Sequence, residues 1–265
     1  MTESITIKQL TKMDELHQMQ KIEQAVWAMS PNPVHQTYTA MNNGGIILGA
    51  FDGTEMVGFL YSFAGFDGNQ PYLCSHMMGM LPDYRRRGLG KKMKLQQFRL
   101  AQQYGYSMIT WTYDPLESMN AYLNLHQLRA TGAHYKPNYY GTMTDKLNQG
   151  LRTDRFQIEW DLTTEQKPTE TKVDTNRLLI QAQPDEEPIS NLAIFDESKD
   201  SWFVPIPENF QTIKQENIGL AKKWRNVTGN VFEKLFAAGF AADDLLRGET
   251  QQISYYYFTK RSNIS

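Results

Sequence analysis

Arg85, Arg86, Arg87, Lys91, Lys92 and Lys94 place six positive charges within ten residues, with Gly88 and Gly90 set among them. Residues of these types at this spacing bind an anion. Glycine has no Cβ, so a phosphate can approach the main chain closely at Gly88 and Gly90. The cations add long-range attraction to whatever the peptide N–H groups hold. In many chains such a run is only a solvated face or a non-specific polyanion patch. Here an apolar run, Tyr72 to Leu81, leads into the bend, and a periodic segment follows it as far as Gly105. Strand, tight basic turn and helix is the order that aims backbone N–H groups and a helix dipole at one point. The spacing is neither GxxxxGK[ST] nor GxGxxG.

Other reactive side chains are sparse. The histidines stand at 17, 35, 76, 126 and 134 with no metal-ligand spacing, so no metal is expected. Cys74 is the single cysteine, which excludes an internal disulfide framework, and its place in an apolar run suits a small core residue. His76 precedes Met78 and Met80 by an even number of residues, which in a regular strand puts all three side chains on one face. The acidic runs Asp185-Glu186-Glu187 and Asp243-Asp244 read as solvated surface charge. Formal net charge is −2, so the basic bend is a local feature and not part of a globally basic nucleic-acid binder. Few aromatics interleave with the cations, which argues against base stacking. No apolar run approaches the roughly 18 residues of a membrane span and no leader pattern opens the chain, so a soluble cytoplasmic protein with no membrane partner is expected.

The elements that must position these groups follow from pattern. Ser4 to Gln9 alternates as a first strand. Lys12 to Met29 has helical spacing, with Trp27 as a bulky anchor and Pro31 and Pro33 ending it. Ile46 to Phe51 and Met56 to Phe63 flank Asp52-Gly53-Thr54, a hairpin signal. After the basic bend comes a helix. Counting about 100° per residue from Leu89, its residues Met93, Leu100 and Tyr104 share a stripe and Phe98 lies opposite. Tyr106 to Tyr113 is aromatic and β-branched, hence a strand. Asp114 and Pro115 suit the cap and first position of a helix ending near Gly132. Beyond Gly150, Asp154 to Leu162, Arg177 to Ala182, Ser201 to Ile206 and Gln252 to Lys260 read as strands. Thr163 to Thr175 reads as a linker. Ile218 to Gly239 reads as an amphipathic helix with a stripe of Leu220, Trp224, Val227, Val231 and Leu235.

The run Met80-x-Pro82-x-Tyr84-Arg85-x-Arg87-Gly88-Leu89-Gly90 resembles the acyl-CoA pyrophosphate signature of the GNAT superfamily of N-acyltransferases. The resemblance implies an α/β (α+β) fold: a mixed, mostly antiparallel central sheet with a splayed, bulged cofactor strand, flanked by helices. It implies acetyl-CoA as cofactor. Main-chain groups of Met78, Gly79 and Met80 would face the pantetheine arm, and Arg85, Arg86, Arg87, Gly88, Leu89, Gly90 and Lys91 would hold the pyrophosphate. Asn120, with Asn124 one turn on, fits the position that contacts the cofactor arm. Trp27, Pro33 and His35 fall where helices of the superfamily line the acceptor site, core packing being the competing role for Trp27. The tyrosine that often protonates the departing thiolate is absent, since neither Gln127 nor Leu128 is one. Tyr122 and His126 are the nearest replacements, and His76 is a candidate base.

The implied activity is transfer of an acetyl group to a primary amine, on a small molecule or an exposed chain. Binding or sensing acyl-CoA without turnover is the alternative, and a nucleic-acid-binding module is a further one. The expected division is residues 1–150 as the acyl-CoA-binding domain and 151–265 as an associated C-terminal α+β region. That region has no second R-x-x-G-x-G, and a degenerate half-copy or a lid stays open for it. A homodimer is left open.

Overall fold

A computed structural model describes residues 5–141, 150–164, 171–183, 186–249 and 252–261. Ser4, Asp185 and part of the expected linker, 165–170, lie outside the described residues. The chain forms two compact units, Met1–Trp111 with Asp161–Glu165, and Thr112–Trp160 with Gln166–Ser265. The division falls after Trp111 and not at the expected residue 150, because the strands in 131–161 pair with one another and with a strand near the C-terminus.

In the first unit the order is β1 (Thr6–Gln9), α1 (Met13–Trp27), α2 (Val34–Asn42), β2 (Ile47–Asp52), β3 (Glu55–Phe66), β4 (Pro71–Met80), a 3₁₀ turn (Pro82–Tyr84), α3 (Leu89–Gln103) and the start of β5 (Met108–Tyr113). Strands β1 to β5 lie in sequence order, antiparallel up to β4, with β5 parallel to β4. The Asp52–Glu55 pair closes the hairpin around Gly53, whose φ of 59° is the left-handed conformation glycine accepts without strain. Glu15 starts α1 by accepting from the amides of Thr11 and Lys12, two donors the helix cannot satisfy itself. Ala28, with φ 54°, ends it. Leu16, Met19 and Ile22 of α1 are buried against Ile47, Phe51, Phe59 and Tyr61 of the sheet. Helix α2 was not anticipated, because the two prolines read as a stop and Pro33 instead sits at its N-cap.

The second unit holds α4 (Ser118–Ala121), which runs into a π-helical stretch (Tyr122–Gln127), then β6 (Thr131–Lys136) and β7 (Arg155–Asp161). After these come β8 (Ile180–Gln181), β9 (Ile189–Ser190), β10 (Ser201–Pro207), α5 (Phe210–Glu216), α6 (Ile218–Ala237), β11 (Phe240–Arg247) and β12 (Ile253–Lys260). Its strands run β7-β6-β11-β12-β10, all antiparallel, with β8 and β9 as a separate ribbon. Phe156, Phe232, Tyr256 and Phe258 pack ring to ring within it. The buried side of α6 includes Trp224, Val231 and Leu235 as expected, and also Arg225, which grips Asp114 with two bonds of 2.8 and 2.5 Å. Asp114 therefore serves this ion pair and a local turn through Leu116 N–H, and the helix starts at Ser118 and not at Pro115. Asp244 is fully buried between His126 and Arg129, which corrects its reading as surface charge. Among the described residues no helix is long and apolar enough to cross a membrane.

Candidate functional site

Strand β4 is regular only in its first part. It pairs with β5 at Leu73↔Ile109 and Cys74↔Thr110 and, among the described residues, has no strand partner on that side from Ser75 to Met80. On its other edge Tyr61 pairs with Met77 while Ser62 pairs with Ser75, so His76 is an extra residue in a β-bulge. Leu81 N–H bonds Val57 O toward β3. By the two-residue repeat, Gly79 also turns its main chain to β3, and Met78 and Met80 turn theirs into the opening left by β5. The Met80 carbonyl there accepts from Arg85 Nε at 3.0 Å. Met78 keeps its peptide groups directed into the gap.

The bulge also changes which face His76 serves. Its ring lies 6.0 Å from that of Tyr61 and 5.7 Å from that of Phe63, and Tyr61 faces Met77 across the ladder. The expectation that His76 shares a face with Met78 and Met80 does not hold, because the inserted residue shifts the alternation by one. His76 is on the α1 side. Its side chain is exposed at one side, and desolvation at the other lowers its pKa.

The chain then turns through Pro82–Tyr84 into the basic bend. Tyr84 Oη donates to Asp52 Oδ2 at 2.6 Å, tying the turn to the β2–β3 hairpin, and Arg87 stacks on the Tyr84 ring at 5.2 Å. Arg86 has φ 60° and Gly88 φ 75°, so the backbone curls left-handed twice before α3 begins at Leu89. Among the described residues no side chain caps that helix. The N–H groups of Leu89, Gly90 and Lys91 have no carbonyl one turn earlier to bond, and the first helical bond of this region is Lys92 N–H to Gly88 O at 3.2 Å. A Cβ built on Gly88 meets nothing within 4 Å. Arg85, Arg86, Arg87 and Gly88 are exposed. The result is a set of bare amides, cations around them, and open space before them.

Lys94 does not join those cations. It is buried on α3, with Nζ donating to Ser75 Oγ at 2.8 Å and standing 3.6 Å from the Trp111 ring. Burial pulls its pKa down to about 7. Its place one helical turn beyond Gly90, next to Met93, was the available signal, since Met93 lies on the buried stripe.

The α1 face of β4 carries the residues expected to line an acceptor. A Cβ on Gly79 would lie 2.8 Å from Trp27 Cη2, so glycine there lets the indole rest on the strand, edge-on to Phe59 at 6.0 Å. His35 is exposed on α2. Glu23, one turn before Trp27, was not singled out from the sequence. It is 5% exposed, and its Oε1 accepts from Asn32 N–H at 3.0 Å and Asn32 Nδ2 at 2.6 Å. Among the described residues its Oε2 is buried with no hydrogen-bond partner. Desolvation raises its pKa and the two Asn32 bonds only partly offset this. The legible hint was a carboxylate between Met19 and Trp27 at four-residue spacing, in the apolar stripe.

Asn120, Asn124, Tyr122 and His126 belong to the second unit. Asn120 is exposed and Asn124 buried, and the change from α to π bonding between them breaks their one-turn alignment. The rings of Tyr122 and His126 stack at 4.5 Å, Arg247 covers Tyr122 at 4.1 Å, and His126 Nδ1 is held 2.9 Å from Asp244 Oδ1. Cys74 is a free thiol whose pKa burial raises, which suits packing and not nucleophilic attack. Among the described residues no group of His, Cys, Asp or Glu is arranged to hold a metal.

A model of the acetyltransferase (GNAT) family matches residues 11–126. A search of curated protein sequences finds no match. Among solved structures the chain is similar to yncA of Salmonella typhimurium, assigned as an acetyltransferase and solved with its cofactor acetyl-CoA. The identity is 16%, covering 63% of this chain and 99% of that one, with a TM-score of 0.51. It is also similar to the ribosomal-protein-S18-alanine N-acetyltransferase of Escherichia coli, at 18% identity, 64% of this chain, 100% of that one and a TM-score of 0.49. At such identities the likeness to yncA speaks for the fold alone.

Proposed function

We propose, on the premise that residues 11–126 belong to the acetyltransferase (GNAT) family, that this chain transfers the acetyl group of acetyl-CoA to a primary amine. The observation that carries the reading is the run of bare amides into α3, placed where β4 loses its partner. A diphosphate fits that cradle: Gly88 leaves room, the helix N-terminus supplies donors, and Arg86, Arg87 and Lys91 supply charge. Arg85 braces the strand end through Met80 O. The opening beside Ser75–Met80 suits an extended, polar arm such as pantetheine.

Bound acetyl-CoA would supply an activated acetyl thioester. The chain's own part is orientation and charge. Met78 N–H, directed into the gap, is placed to donate to developing negative charge on a carbonyl oxygen, where a preorganised donor is worth roughly 3–4 kcal/mol. The acceptor is expected on the α1 face, among Trp27, His76 and the exposed His35. A neutral His76 can accept a proton from an incoming amine. That matters most for a lysine-like acceptor of pKa about 10.4, of which roughly one part in a thousand or less is neutral at pH 7. An α-amino group near pKa 8 needs less help.

Gly88→Glu tests the cradle. It puts a carboxylate where the diphosphate would lie, in space that is otherwise open, and the left-handed φ of 75° costs about 1–2 kcal/mol for a residue with a Cβ, too little to unfold a domain. Acetyl-CoA affinity by calorimetry should fall at least 100-fold while the circular dichroism spectrum is unchanged. Wild-type affinity in this variant would place the cofactor elsewhere. Thiol release across a panel of amines tests turnover, and tight binding without release would indicate a sensor.

A further inference from the structure

Lys94 is a buried lysine that the cofactor cradle does not use, and it sits where β4 changes character. Two irregularities of the strand meet at Ser75. Pairing with β5 ends one residue before it, at Cys74↔Thr110, and the bulged His76 comes one residue after it. Ser75 is thus where β4 leaves its regular course on both edges. Its buried side chain is turned to α3. From that helix Lys94 Nζ donates to Ser75 Oγ at 2.8 Å, and Gln97 Nε2 donates to the same oxygen at 3.0 Å. Lys94 Nζ also meets β5, 3.6 Å from the centre of the Trp111 ring. Trp111 follows Thr110, the last β5 residue paired with β4. The amine therefore touches both strands just where they part. Ser75, Lys94, Gln97 and Trp111 all belong to the first unit.

An apolar side chain would suit this place better. Met93 beside Lys94, and Leu73 and Ile109 in the two strands, are fully buried. Burial pulls the Lys94 pKa to about 7, at a cost in stability. Gln97 is fully buried too, and among the described residues its Oε1 has no hydrogen-bond partner. Polar groups kept in a core at such a cost mark places where function overrides packing. We propose that Lys94 is a positioning residue: its head group, gripping Ser75 and bearing on the Trp111 face, wedges β4 from β5 and holds the opening at the width the cofactor's arm requires. The proposal rests on the acetyltransfer reading above. A closed alternative is open to the chain, because the short parallel pair could lengthen by ladder bonds to the Met78 peptide groups that now face the gap. Helix α3 makes the wedge rigid. Leu89, one of the bare amides, lies about 7.5 Å before Lys94 along the helix axis, so one helix fixes the spacing of cradle and wedge. Among the described residues no carboxylate pairs with Lys94, and its ionisable neighbour on β4, Cys74, is a thiol whose pKa burial raises. Nothing draws the amine away from the two strands.

Two variants test this. Lys94→Met removes the amine and keeps most of the side chain, and Ser75→Ala removes the hydroxyl that the amine grips. The first measurement is hydrogen exchange by mass spectrometry over residues 75–81, on protein without cofactor. The second is acetyl-CoA affinity by calorimetry. In the wild type the Met78 amide should exchange fast. In Lys94→Met, with β5 free to close on β4, exchange over this stretch should slow by about tenfold or more. Acetyl-CoA affinity should fall by about tenfold or more in the same variant. Ser75→Ala should move both readings the same way by a smaller factor. Stability and affinity should also diverge: Lys94→Met should unfold at higher urea than the wild type while binding more weakly, a pairing that loss of ordinary packing does not produce. Unchanged exchange in either variant would overturn the proposal, as would wild-type affinity in Lys94→Met. A Lys94→Met protein that is less stable and also binds weakly would overturn it too, because Lys94 would then be plain packing. Should the wild type bind no acetyl-CoA, the function proposed above falls instead, and the exchange comparison, which needs no cofactor, decides on the wedge alone.

Discussion

Lys94 offers the sharpest quantitative test of the structure around β4. It is 3% exposed, and its pKa falls from 10.5 to about 7. That drop corresponds to about 5 kcal/mol of lost preference for the charged form. The Trp111 face at 3.6 Å opposes the loss, but a cation–π contact is worth about 2 kcal/mol when desolvated, so burial wins. Between pH 7 and 10.5 the unfolded chain holds a proton on this lysine that the folded chain does not. Stability must therefore rise with pH across that window, by about 1.4 kcal/mol per pH unit at most, and the full penalty is present below it. Lys94→Met deletes the titration while keeping the alkyl chain, and Ser75 Oγ retains Gln97 as a donor at 3.0 Å. Urea unfolding of both proteins from pH 6.5 to 9 should show the variant ahead by several kcal/mol at the acid end. The wild type should recover about 2–3 kcal/mol of that gap by pH 9. Cys74, whose thiol pKa burial raises, stays in both proteins and largely cancels in the difference. Parallel stability curves would refute the reasoning, and would mean that Lys94 keeps its charge through the Trp111 ring.

Further outcomes follow from the same geometry. Gly88→Glu should lose acetyl-CoA binding with the fold intact, as read by calorimetry. Arg225→Met should leave the largely buried Asp114 without its closest cation, with the more distant Arg155 at 3.9 Å and Lys214 to offset its charge, and lower stability by about 3 kcal/mol in urea unfolding. The double variant Asp114→Asn with Arg225→Met should recover much of that loss, and an additive loss would argue against the pair.

The hairpin at Gly53, helix α1, the bend from Arg85 to Gly90 and helix α6 were all legible from the order of residues. Each is local: a glycine in a turn, an apolar repeat along a helix, a basic stretch after a strand. Nothing so local could reveal that His76 is an extra residue on β4. A bulge is a mismatch between two strands and exists only once β3 is laid alongside, and it moved His76 to the opposite face from the one its spacing implied. Helix α2 was hidden because a proline before a helix and a proline after one look alike along the chain.

Charge shows the same divide. Arg85 to Lys94 is one basic run in the sequence, yet packing leaves Arg86 and Arg87 in solvent and sinks Lys94 under Ser75 and Trp111. Asp244 and Glu23 carry the same functional group as any surface carboxylate, and their surroundings alone make one an anchor for His126 and Arg129 and the other an acceptor with a bare oxygen. The order of residues therefore determined where helix amides stand bare beside a glycine, because both are properties of a short segment. Folding settled which side chains lose their water, and that loss, set by neighbours distant along the chain, tunes the proton affinities on which the chemistry turns.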